Sequence, residues 1–121
     1  MHLPTRFLVT ALLGVASATA FATDSGTAWQ AEQQARARAS TAQQALSDRY
    51  TAIWSSLDAS QKTRFSAQER AWLNNGREEE LRACVAGQGD LSDRALKSCE
   101  AEVIERHLRG LTAPQRVASS L

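Results

Sequence analysis

The fold of this chain is decided by residues 84–99, which read CVAGQGDLSDRALKSC. A glycine-containing turn separates two helix-forming stretches, and Asp90 or Ser92 is suited to cap the second. Cys84 then lies at the end of one predicted helix, and Cys99 lies about two turns into the next. A turn this short makes consecutive helices antiparallel neighbours, so the two thiols can meet.

The first 22 residues have the pattern of a secretory signal peptide. Arg6 gives a weakly basic start, residues 7–16 are mostly apolar, and Ala20-Phe21-Ala22 has the small-x-small form that signal peptidase recognises. Cleavage is expected after Ala22 or Ala20. An uncleaved anchor is the alternative, but the uncharged run is at the short edge of what spans a bilayer. We therefore predict a periplasmic or secreted protein without stable membrane insertion.

The two cysteines are the only ones in the chain. In an oxidising compartment, an even cysteine count in a small exported domain indicates a disulfide. A Cys84–Cys99 bridge would close a loop of about 15 residues, for which chain entropy gives about 3 kcal/mol of stabilisation. Two free thiols are the alternative.

Apolar and small residues recur at steps of three or four along the first predicted helix, which indicates an amphipathic helix. The stripe consists of alanine up to Ala42 and becomes bulky from Leu46 to Leu57, with Trp54 beside it. Residues 23–45 are therefore predicted to be an Ala-rich, loosely held helical extension, residues 46–111 the helical domain, and residues 112–121 a flexible tail.

A second helix is predicted to begin after Asp58, because Gln61 completes a capping box, and to continue to about residue 86. A third should follow the turn and continue to about residue 109. Gly76 marks either a kink, a close helix contact or a tolerated flaw. The inward candidates of the two helices are Phe65, Trp72, Leu73, Leu81, Cys84 and Val85, then Leu96, Cys99, Val103, Ile104, Leu108 and Leu111. The predicted fold class is all-α, a disulfide-stapled antiparallel helical hairpin with a longer N-terminal helix packed across it.

Removal of the signal peptide takes away one of the 14 basic residues, which leaves the charge of the mature chain balanced against its 13 acidic residues. This balance argues against a nucleic-acid partner, which requires a basic field. The sequence also contains neither a glycine-rich phosphate-binding motif nor the serine motif of a nucleophile elbow. We expect no enzyme activity and no cofactor.

His107 is the one histidine after the signal peptide, and it lies on the same helical face as Cys99, two turns away. That spacing is too wide for a cysteine–histidine catalytic pair within one helix. Cys84, Cys99 and His107 as zinc ligands would lack a clear fourth donor. A surface or cap-side histidine is the favoured interpretation.

Two further features are candidates for contact with a protein partner. Glu78, Glu79 and Glu80 form the one acidic block, which is either a solvated helix face or a small surface for a cationic partner. Trp29 stands on the Ala-rich extension, where no bulky neighbour is available to bury it. Trp54 and Trp72 fall beside or on the inward stripes, which favours core packing.

The segment 46–111 resembles the LprI-type lysozyme-inhibitor family of small exported helical domains. The resemblance rests on Tyr50 within the Leu46-x3-Tyr50-x6-Leu57 pattern, the cap at Asp58, the Arg70-Ala71-Trp72-Leu73 run, Arg77, the two cysteines, and Arg106. It implies that the two cysteines are paired, that Trp72 is a packing residue, and that the protein binds lysozyme-type muramidases and blocks their cleft sterically. It supplies no set of lysozyme-contact residues. The alternative is a non-inhibitory periplasmic adaptor or chaperone-like protein, in which the Ala-rich extension pairs with a partner helix.

Overall fold

The computed structural model describes residues 18–111, 117 and 121, with side chains from residue 26 onward. The chain divides into two compact units, Met1–Gln30 and Ala31–Leu121. The described part of the first unit is helical, and its Trp29 side chain is 63% exposed, as predicted. Most of the predicted signal peptide lies outside the described residues. No helix among those that the structure describes is long and apolar enough to cross a membrane.

The described residues form helices joined by short connections, without a β-strand among them. In chain order the elements are α1 (Ala18–Ser56), α2 (Ala59–Ala71), a π-helical turn (Trp72–Gly76), α3 (Arg77–Gln88) and α4 (Asp93–Gly110). The prediction of an all-α chain is confirmed. Because α2, the π-helical turn and α3 follow one another without a gap, they form the predicted second helix.

The helix starts follow the predicted caps. Asp58 accepts a hydrogen bond from the backbone amide of Gln61 at 2.8 Å, and the Gln61 side chain accepts one from the amide of Asp58 at 3.0 Å. Ser92 accepts from the amide of Ala95 at 3.2 Å and so caps α4. Each cap satisfies amides that have no partner within the helix, which fixes where the chain turns.

The π-helical turn contains Asn74 and Asn75 and ends at Gly76, the glycine singled out from the sequence. A Cβ atom added to Gly76 would lie 3.1 Å from Cδ1 of Trp72, closer than ordinary van der Waals contact. Gly76 therefore permits the indole of Trp72 to lie against the helix backbone. Gly76 thus lies in a π-helical irregularity and contacts a side chain of its own helical segment, not a neighbouring helix.

The disulfide joins Cys84 of α3 to Cys99 of α4, with Cα atoms 5.8 Å apart. The predicted pairing is confirmed. Gly89, in the connection between these helices, has a φ of 64°, a left-handed conformation that glycine adopts at little cost. The cross-link therefore lies beside a turn that the sequence favours strongly.

The core of the second unit draws on α1, α2 and α4. Leu46, Ile53 and Leu57 of α1 pack with Phe65 of α2 and Ile104 of α4, with Tyr50, Trp72 and Leu108 at the edge of the cluster. The bulky half of the α1 stripe is therefore inside, as predicted. Val117 is also buried there and Leu121 packs against the cluster, which differs from the expectation of a flexible tail.

Packing along α1 begins before Leu46. Ala35, Ala39 and Ala42 are buried. Arg38 of α1 makes two hydrogen bonds to the carboxylate of Glu105 in α4, at 2.9 and 2.6 Å. Burial of α1 thus begins at Ala35, and Arg38 is bonded to α4, whereas the sequence led us to expect a loosely held extension up to residue 45.

Three predicted core residues are on the surface instead. Trp54 and Leu73 are each 43% exposed, and Leu96 is 37% exposed. Each follows a residue that faces the interior, namely Ile53, Trp72 and Ala95. Consecutive helical residues point about 100° apart, so a side chain one position beyond the buried face turns outward.

Candidate functional site

A buried carboxylate joins α1, α2 and α4. Glu69 of α2 is 6% exposed and is the one polar or charged residue among those described whose whole side chain is buried. The Tyr50 hydroxyl of α1 donates to Glu69 Oε2 at 2.5 Å, and Nε2 of His107 in α4 lies 2.7 Å from the same oxygen. A carboxylate buried without such donors would be costly, so these bonds fix the relative positions of three helices.

The imidazole that contacts Glu69 is covered by an indole. The rings of Trp72 and His107 are stacked, with centroids 3.6 Å apart and 6° between the planes. Trp72 Nε1 is buried and has no hydrogen-bond partner within the described residues. We define Tyr50, Glu69, Trp72 and His107 as the polar cluster.

The polar cluster changes the interpretation of His107. The sequence favoured a surface or cap-side histidine, whereas the structure places it partly buried between Glu69 and Trp72. The sequence signal for this burial was the spacing of His107 from the buried Cys99. Residues four apart on a helix share a face, and so do residues eight apart, such as these two. Phe65, Glu69 and Trp72 have the same helical spacing, which marks Glu69 as inward-facing despite its charge.

The polar cluster alters the acidity of Tyr50. Burial raises the pKa of the Tyr50 hydroxyl above its usual value, and the hydrogen bond to the Glu69 carboxylate and its negative charge raise it further. The positive charge of Arg77 acts in the opposite direction. The hydroxyl therefore keeps its proton and remains a donor to Glu69 to higher pH than an exposed tyrosine would.

An open groove lies beside the polar cluster, between α1 and α2. It has a volume of about 480 Å³ and is lined chiefly by Tyr50, Trp54, Phe65, Ser66, Glu69 and Arg70. A second hollow of about 510 Å³ shares Trp54, Ser66 and Arg70 and extends along α2 to Lys62. We refer to the two together as the α1–α2 groove. Tyr50 and Phe65 meet edge to face at 5.9 Å and form its apolar wall.

The basic side chains at the α1–α2 groove are on the surface side of α2. The ammonium of Lys62 lies 5.3 Å from the centre of the Trp54 ring, a cation–π contact. Arg70 is exposed, and neither cation takes part in a salt bridge within the part of the chain that the structure describes. The groove thus combines aromatic surface with uncompensated positive charge.

The other predicted site residues are not brought together here. Glu78 forms an exposed ion pair with Arg82 at 3.6 Å, and Glu79 is exposed. Glu80 turns inward, and its Oε2 is buried without a hydrogen-bond partner among the described residues. The acidic block therefore does not form a single patch. Arg77 is partly buried and lines a separate hollow between α1 and α4.

The structure also bears on the zinc interpretation. The disulfide occupies the sulfurs of Cys84 and Cys99, which removes both as metal ligands in this state. Among the described residues, no group of three histidine, cysteine, aspartate or glutamate side chains is placed to hold a metal ion.

Comparison with protein-family models, with curated proteins and with solved structures finds no match. The structure itself defines the class: a small all-α chain with one internal disulfide.

Proposed function

We propose that this chain is an exported, non-enzymatic binding protein that blocks the substrate cleft of a lysozyme-type muramidase. The proposal rests on the resemblance of residues 46–111 to LprI-type inhibitors. The observation that supports it best is that residues of this resemblance also hold the structure together. Tyr50 and Trp72 belong to the polar cluster, and Cys84 and Cys99 form the cross-link.

The finer arrangement of the fold is part of the proposal. We infer that α3 and α4 form an antiparallel hairpin with α1 packed across it. The short connection at residues 89–92, the disulfide and the Arg38–Glu105 ion pair support this arrangement. A rigid scaffold of this kind suits an inhibitor, because a preorganised surface loses little conformational entropy on binding.

For the contact face we propose the exposed surface that carries Leu73, Glu78 and Glu79. Leu73 is exposed in the π-helical turn, and Glu78 (paired with Arg82) and Glu79 are exposed at the start of α3. This surface offers an apolar side chain and carboxylates to a cationic partner. Steric obstruction of a cleft requires no chemistry from the inhibitor. Accordingly, none of the residues of the polar cluster is assigned a catalytic role in this proposal.

The test is an activity titration of purified muramidases of several classes with the mature, oxidised protein. We expect saturable inhibition, weakened by Leu73→Ala and by Glu79→Lys. Asp48→Lys is the matched control, because it reverses an exposed charge on α1 and should leave inhibition unchanged. Full muramidase activity at a large molar excess of protein, in every class, would remove this proposal.

A non-inhibitory envelope adaptor is the second candidate. It is favoured by Trp29, which presents most of its indole on the N-terminal part of α1. Exposed tryptophans are common anchors in protein interfaces. In that case Trp29→Ala should weaken association with a partner while the melting temperature stays unchanged.

A further inference from the structure

We propose that the α1–α2 groove is a docking site for an acidic amphipathic helix of a partner protein. This site is lined by other residues than the face proposed for muramidase binding and does not depend on that function. The proposal follows from three properties of the groove: its aromatic lining, its two cations without a salt bridge, and its openness to solvent along two turns of α2.

The aromatic lining provides the apolar contact. Trp54 is 43% exposed although it borders both hollows, and Tyr50 and Phe65 form the wall beneath it. A helix that lays leucine or phenylalanine side chains along this wall would cover the indole. Trp54 would act as the anchor, since buried tryptophans contribute a large part of binding energy in protein interfaces.

The basic residues of α2 indicate that the partner carries negative charge. Lys62, Arg64 and Arg70 form no salt bridge within the described part of the chain, and the nearby Glu69 is buried in the polar cluster. Elsewhere in the described residues, Arg77 and Arg109 also form no salt bridge, while six basic side chains each pair with a carboxylate, namely Arg36, Arg38, Arg82, Arg94, Lys97 and Arg106. In a chain of balanced charge, the two of these cations that line the groove, Lys62 and Arg70, favour an acidic partner.

The form of the groove favours a helix over a small molecule. The groove is open to solvent, and the stretch of α2 that lines it, from Lys62 to Arg70, covers about 12 Å, or roughly two helical turns. A ligand buried on most sides needs a more enclosed cavity. A helix with apolar residues three and four apart matches this length and places flanking glutamates near Arg70 and Lys62.

The test uses the mature oxidised protein and a displayed library of amphipathic helices. The apolar ridge is held constant, and the flanking positions vary among glutamate, glutamine and lysine. We expect the selected helices to be rich in glutamate. Their synthetic forms should bind the protein, and Trp54→Ala or Arg70→Glu should each weaken binding by about tenfold or more. Circular dichroism of each variant establishes that it remains folded.

Arg64→Glu is the matched control, because it reverses an exposed charge on the same helix at a position that does not line the groove. It should weaken binding by much less than Arg70→Glu. Selection of neutral or basic helices, an absence of selected helices, or equal effects of the two reversals would overturn the proposal. So would Trp54-dependent binding to phosphatidylglycerol vesicles without a selected helix, which would assign the groove to a membrane surface.

Discussion

The indole of Trp72 lies parallel to the imidazole of His107, with 3.6 Å between ring centroids. This contact connects the π-helical turn to α4, and the same imidazole reaches the Glu69 carboxylate of α2. Trp72 is only partly buried, so the apolar area that it buries is one part of its contribution to stability. The other part is that it orients the imidazole of His107. The stack holds His107 where it can meet Glu69.

Trp72→Ala should lower the free energy of unfolding by about 3 kcal/mol, the low end of the range for large aromatic truncations. The loss combines apolar area with a less constrained His107. Urea denaturation followed by circular dichroism measures it. Leu73→Ala is the control, because its side chain is substantially exposed and should cost less than about 1 kcal/mol. Equal losses at the two positions would show that the stack does not stabilise the fold.

The outline of the fold could be predicted from local signals. Asp58, Gln61 and Ser92 mark the helix starts, and the glycine-containing turn with flanking cysteines marks the cross-link. These features act over a few residues, so the sequence displays them directly. The outward positions of Trp54 and Leu73 could not be predicted in this way. They depend on which of two adjacent residues faces a neighbouring helix.

The sequence did not predict the polar cluster. Glu69 and His107 are 38 positions apart, and each looks like an ordinary surface residue on its own helix. Only their common inward spacing with Phe65 and Cys99 indicated otherwise. The free-energy cost of burying a charged side chain is offset when a residue distant in sequence forms a hydrogen bond with it. Such a pairing is a property of the tertiary structure.

Tyr50 is the only tyrosine of the chain, so the ultraviolet absorbance of tyrosinate reports this residue alone. Its hydroxyl should titrate above the usual value of 10.0, because burial and Glu69 disfavour the anion. The pKa is raised in the folded state, so the resulting stabilisation is complete below the ordinary tyrosine pKa. It is lost as the pH rises through the folded value. Denaturation at increasing alkaline pH should therefore show wild type losing stability that Tyr50→Phe does not lose.

Glu69→Gln tests the cause of that shift. Glutamine can still accept from the hydroxyl but carries no charge, so the Tyr50 pKa should fall part of the way toward its usual value. It should stay raised because burial is the larger cause. Glu78→Gln, an exposed carboxylate outside the polar cluster, should leave the titration unchanged. A Tyr50 titration that is indifferent to Glu69→Gln would refute the coupling.

Removal of the disulfide should destabilise the protein without rearranging it. The double variant Cys84→Ser/Cys99→Ser should lose about 2 to 5 kcal/mol of unfolding free energy, as small exported domains do. The reason is that the cross-link restricts the unfolded chain. Thermal melts of the variant and of the reduced wild type should agree with each other and lie below the oxidised protein. A melting temperature that reduction does not change would exclude a stabilising role.

Two truncations test where the folded unit begins. Deleting residues 23–30 from the mature protein should change the unfolding free energy by no more than about 0.5 kcal/mol, as for surface changes in general. Deleting residues 23–40 also removes the buried Ala35 and Ala39 and the Arg38–Glu105 ion pair. At about 0.8 kcal/mol for each buried methyl, with little from the largely exposed pair, the loss should be about 2 kcal/mol.

Thermal melts of both truncated proteins measure this difference, and about 2 kcal/mol corresponds to a fall of roughly 10 °C for a domain of this size. Arg38→Gln separates the ion pair from the alanine packing, since it removes the charge and leaves the buried alanines in place. It should cost under about 1 kcal/mol because the pair is largely solvated. If the shorter deletion destabilises the protein as much as the longer one, the boundary at Ala31 is wrong. If the longer one costs nothing, the burial of Ala35 and Ala39 and the Arg38–Glu105 pair do not stabilise the fold.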